Sequence, residues 1–121
     1  RVEQYLWSAY SDDEGETWST PKRTSIWGFP AHLLVLQDER ILCSYGYSRP
    51  PYGVRACSSE DGGETWDLQN EIIIRNDGIH MDLGYPCSVE LEPGKILTAY
   101  YFHERSKENL VHYLAGSIYN V

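Results

Sequence analysis

The chain is short of basic charge: 10 Lys and Arg stand against 18 Asp and Glu, a formal net charge of −8. Phosphate backbones are bound by Lys/Arg surfaces that neutralise them, so no nucleic-acid partner is expected. Apolar runs near the roughly 20 residues of a bilayer-crossing helix are lacking, so no membrane span is expected. Cysteine is scarce: Cys43, Cys57 and Cys87 form no C-x-x-C pair, and any disulfide scheme leaves one over. They read as small buried hydrophobes in strands. His32, His80, His103 and His112 are scattered without zinc-ligand spacing, so neither a metal nor a cofactor is expected. No Asn-x-Ser/Thr sequon offers a hint of compartment. Neither a Met nor a basic-then-apolar leader opens the chain at Arg1, and a start within a longer protein is expected.

What is present is a globular composition of 121 residues, 41% hydrophobic and 23% charged, a length that taken alone suits one small domain. Its aromatics are ten Tyr and four Trp against two Phe. Such rings have apolar faces and hydrogen-bonding edges, which suit strands and sugar-binding surfaces.

The chain also repeats. Ser11-Asp12-Asp13-Glu14-Gly15-Glu16-Thr17-Trp18 recurs 48 residues later as Ser59-Glu60-Asp61-Gly62-Gly63-Glu64-Thr65-Trp66. Gly28-Phe29-Pro30-Ala31-His32-Leu33-Leu34 resembles Gly84-Tyr85-Pro86-Cys87-Ser88-Val89-Glu90, and each runs through a polar turn into Ile41-Leu42 or Ile96-Leu97. The unit is about 50 residues, enough for four strands and their turns. Strands are predicted at 2–10, 33–36, 41–47, 54–57, 72–74, 88–91, 96–102 and 110–118, separated by Asp38-Glu39, Asp77-Gly78, Pro93-Gly94-Lys95 and the two octapeptides. No segment sustains a helical apolar period, so the fold class is all-β.

Within each octapeptide, Asp13 or Asp61 can accept backbone N–H bonds across a tight turn. Gly15 or Gly63 permits a positive φ. Trp18 or Trp66 is large enough to anchor the hairpin in the core. Neither copy has the acidic residue that closes an EF-hand loop, so calcium is not expected.

These octapeptides resemble the Asp-box, or BNR repeat, of the sialidase superfamily, whose fold is a six-bladed β-propeller. In that fold the box joins the third and fourth strands of a four-stranded antiparallel blade. The resemblance implies about two and a half blades: residues 1–25 the end of one, 26–75 a complete one, and 76–121 three strands of a last one. The remaining blades of the same propeller would then be its nearest partners, and a terminal sialic acid or related acidic sugar its substrate. Family resemblance favours a secreted or periplasmic protein. Propellers with this repeat also include binding and assembly proteins, so a non-catalytic module that binds glycans or proteins is the alternative.

Sialidases carry a Gly/Ala-Tyr-Ser motif near their C-termini whose Tyr is the nucleophile. Gly84-Tyr85-Pro86-Cys87-Ser88 is similar in position and departs from it at Pro86, which makes Tyr85 the candidate catalytic residue. The preceding copy has Phe29 at the corresponding place. A phenol suits a substrate with a carboxylate on its anomeric carbon, because a carboxylate nucleophile would face like-charge repulsion. The family clamps that carboxylate with arginines, whose planar fork matches two oxygens. Arg49, in the Pro-rich connection, is the first candidate clamp and Arg55 the second. His32 and Asp82 flank the repeated Gly-aromatic-Pro unit and are candidate rim residues. Arg1 stands in the direction of another family arginine. The first arginine, the acid/base Asp and the Glu that activates the Tyr would fall upstream, so these residues alone are expected to be inactive.

Overall fold

The computed structural model of the chain describes residues 3–121. Among them are nine strands and no helix: β1 (Tyr5–Ser8), β2 (Lys22–Trp27), β3 (Ala31–Val35), β4 (Ile41–Tyr47), β5 (Gly53–Ser59), β6 (Asp67–Arg75), β7 (Gly84–Glu92), β8 (Lys95–Ser106) and β9 (Asn109–Asn120). All pairings are antiparallel, and they build three sheets in chain order, β1-β2, β3-β4-β5-β6 and β7-β8-β9. The fold is all-β, as the sequence predicts. Among the described residues no helix is long and apolar enough to cross a membrane.

The strand bounds need correction. β1 is shorter than the predicted 2–10, and Val2 lies outside the described residues. β2 is absent from the prediction because Lys22 and Arg23 open it with exposed charge. It carries the first sheet through Trp27, past the expected boundary at residue 25. β6 runs nine residues instead of three, since polar Asp67–Asn70 pair along a sheet edge that tolerates solvent. β7 begins at Gly84 rather than Ser88, with a register shift between Gly84 and Cys87.

Side chains alternate faces along a strand, and β4 is covered on both. Cys43 and Tyr45 turn toward the first sheet and pack with Ile26 and Cys57. Leu42 turns the other way and packs with Leu36, Ala56 and Ile96 of the third sheet. Ser44 follows it, its Oγ 3.0 Å from Ser88 Oγ, which in turn meets the Thr98 hydroxyl at 2.8 Å. Val54, Leu83, Tyr100 and Phe102 form a further cluster between the second and third sheets. Arg75 at the end of β6 lies 3.9 Å above the Phe102 ring and donates to the Tyr113 hydroxyl at 2.8 Å. Burial as predicted holds for Cys43 and Cys57. Cys87 is exposed instead: it is the neighbouring Ser88 that turns inward, its Oγ meeting Ser44.

The two octapeptides form the β1–β2 and β5–β6 turns with the same bonds. Asp13 Oδ1 accepts the Thr17 N–H at 2.9 Å and Oδ2 accepts its hydroxyl, while Ser11 Oγ accepts the Gly15 N–H at 2.8 Å. Asp61, Thr65, Ser59 and Gly63 repeat the pattern at 2.9 and 2.9 Å. Both carboxyls are held down to about 2, chiefly by the Thr hydroxyl bond. The tryptophans part company. Trp66 packs beneath the first sheet against the Ile26 cluster. Trp18 stays 64% exposed, its indole N–H donating to Gly15 O at 3.2 Å, so the expectation of a core anchor fails for this copy.

Candidate functional site

Tyr85 opens β7 on a left-handed backbone, φ +50°, with its side chain 65% exposed. It lines a shallow cavity of about 220 Å³ with Phe29, Pro30, Met81, Asp82 and Tyr101. Phe29 and Tyr85, matched in the sequence repeat, therefore face the same space. Pairing sets Tyr101 beside the start of β7, opposite Gly84, and its ring lies 5.6 Å from that of Tyr85.

Asp82 supplies the charge. One carboxylate oxygen accepts the Tyr101 hydroxyl and the other lies 3.1 Å from His112 Nε2. The Tyr101 bond, then the nearby histidines, hold this carboxyl below its ordinary range. Desolvation, and after it the Asp82 bond, pushes the Tyr101 phenol up to about 12. The backbone of the same segment is pinned by two further histidines. His80 Nδ1 accepts the Asp82 N–H at 3.1 Å, and His103 Nε2 accepts the Ile79 N–H at 3.0 Å. His103 Nδ1 lies 3.0 Å from Asp82 O, so hydrogen bonding places the His103 proton on Nδ1.

The candidate arginines lie in a second cavity of about 180 Å³, lined also by Trp27, Tyr47 and Glu71. Arg49 stacks 3.8 Å above Trp27 and donates from Nε to the Tyr47 hydroxyl at 3.0 Å. Arg55 stacks 3.5 Å over Tyr47 and pairs with Glu71 at 2.9 Å. The Tyr45 hydroxyl donates to the same Glu71, and burial first, then this carboxylate, pushes the Tyr45 phenol up. His32 sits between sheets: its Nδ1 accepts the Ser88 N–H at 3.2 Å, and its Nε2 lies 3.7 Å from Cys87 Sγ.

The fold thus joins Tyr85 with Asp82 and Arg49 with Arg55, but as two sites, while His32 braces β3 against β7. Arg1 lies outside the described residues. Sequence reasoning passed over Tyr101, His80, His103 and His112 around Asp82, and Glu71 beside Arg55. A signal for one pair was available. A hairpin centred on Lys107 and Glu108 sets His103 opposite His112, which is the register observed. Among the described residues, no group of three or more His, Cys, Asp or Glu could hold a metal ion.

No family model matches the chain, and no curated protein does. A solved structure of an unknown-function protein from Dyadobacter fermentans DSM 18053 is similar to it, at 35% identity and a TM-score of 0.80 over 97% of this chain. The chain spans only 31% of that protein's length.

Proposed function

We propose that the chain is a slice of a sialidase-type β-propeller and forms one wall of a retaining exo-glycosidase site for a terminal acidic sugar, with Tyr85 as nucleophile. The observation that carries this reading is the setting of Tyr85: an exposed phenol at the mouth of an aromatic cavity, where the preceding copy of the repeat has Phe29. The slice reading is supported by similar registers. Leu34 pairs with Leu42 as Val89 pairs with Leu97, one residue out of step with the repeat, which aligns Leu34 with Glu90; β7 carries a register shift between Gly84 and Cys87. The first pair packs against the third sheet, whereas Val89, Leu91 and Ile118 are exposed on the open face of that sheet. That face fits a further sheet of the same kind.

In this chemistry the Tyr85 oxygen bonds to the anomeric carbon as the glycosidic bond breaks. The phenol proton passes to a carboxylate, an acid protonates the leaving oxygen, and water then releases the sugar. Asp82 is already bonded to Tyr101, so the proton acceptor and the acid belong to the rest of the protein. In the full-length protein, hydrolysis of a fluorogenic sialoside should be lost in Tyr85→Phe with sugar binding largely kept. Unchanged turnover would reject the assignment.

A second reading, a propeller that binds glycans without cleaving them, is favoured by the arginines. Among the described residues no arginine lines the Tyr85 cavity, and Glu71 already neutralises Arg55. Glycan binding by the full-length protein, without turnover of any sialoside, would select it.

A further inference from the structure

We propose that His112 is a positioning residue for Tyr85, acting through Asp82 and Tyr101. The inference rests on the reading of Tyr85 above. Three contacts in series carry it. His112 Nε2 lies 3.1 Å from Asp82 Oδ2; Asp82 Oδ1 accepts the Tyr101 hydroxyl; and the Tyr101 ring lies between those of His112 and Tyr85, at 5.8 and 5.6 Å. The chain of contacts thus runs from β9, through the 79–83 segment, to β8 and the start of β7.

The ring of Tyr85 is set by its neighbours. It is largely exposed, and what flanks it on the sheet is Tyr101. Tyr101 can rotate only by giving up its bond to Asp82. Asp82 is held on its second oxygen by His112 and through its backbone by His80 and His103. A reacting group displaced by about 1 Å can lose on the order of a hundredfold in rate, so this strut acts on the step that needs Tyr85 aligned.

The test uses the full-length protein labelled with 3-fluorotyrosine. Fluorine resonances are assigned with Tyr85→Phe and Tyr101→Phe, and Tyr119, bonded to Thr98 on the other face of the sheet, serves as reference. In His112→Gln the Tyr101 and Tyr85 signals are expected to shift together, while Tyr119 stays still. Asp82→Asn, which removes the link between His112 and Tyr101, should move the same two signals. With a fluorogenic sialoside, His112→Gln should lower kcat about tenfold or more at nearly unchanged KM. A Tyr85 signal that stays unmoved in His112→Gln overturns the strut even if Tyr85→Phe abolishes turnover. Coupled signals in a protein that hydrolyses no sialoside uphold the strut and reject the glycosidase reading instead.

Discussion

Gly46 and Gly84 meet where the second and third sheets touch: a Cβ built on Gly84 would lie 3.1 Å from the Gly46 Cα. Gly84 also has φ +105°, which a side chain opposes. Gly84→Ala is therefore expected to lower stability by about 1–3 kcal/mol, as overpacking and backbone strain do. Denaturant unfolding checks it. A midpoint within error of wild type would show that the sheets can part at no cost.

The two octapeptide turns define an acid limb. Asp13 and Asp61 drop from an ordinary value near 3.8 to about 2 in the folded chain. Depressed carboxyls stabilise the fold fully above the unfolded value and lose that contribution as pH falls through the folded one. Amide exchange protection at Thr17 and Thr65 should hold at pH 5 and fade as pH drops from about 4 toward 2. Asp61→Ala should erase the fade at Thr65 and leave Thr17 unchanged.

Thiol reactivity should divide the cysteines. Burial pushes both Cys43 and Cys57 up to about 12, and neither thiol reaches solvent. Cys87 is exposed. An alkylating reagent at neutral pH is expected to modify Cys43 and Cys57 only after denaturation, as peptide mapping would show. Native labelling of Cys57 would contradict the packing around Ile26.

Phe102 should be the costly core position. It is fully buried with Val54, Leu83 and Tyr100, and Arg75 lies on its face. Phe102→Ala is expected to cost about 3–5 kcal/mol, with the lost cation contact included. A loss under about 1 kcal/mol in chemical denaturation would mean that the cluster collapses around the vacancy.

Part of the site was legible in the chain. Tyr85 stood out through the resemblance to a sialidase motif and Asp82 because it flanks the repeated Gly-aromatic-Pro unit, and the two share a cavity. Arg49 and Arg55 stood out because the resemblance implies a clamping arginine in that stretch, and they also share a cavity. What escaped was the company they keep. Glu71 reaches Arg55 across sixteen residues through a strand pairing broken by register shifts, which no local pattern encodes. Tyr101 and His112 reach Asp82 only because β8 and β9 fold back beside the 79–83 segment.

The two octapeptide hairpins show where the division falls. Sequence alone determined their turns, since Asp, Thr, Ser and Gly within eight residues satisfy one another whatever lies around them. It determined the strand pattern in the same way, through local alternation and turn chemistry. The fate of Trp18 and Trp66 lay beyond it. Both rings fold over the glycine of their own turn, at 3.9 and 3.8 Å from a Cβ placed there. Trp66 is covered because β1 and β2 lie against it, whereas among the described residues Trp18 has no sheet at its side. Burial depends on what packs across a face, and only the tertiary structure decides that.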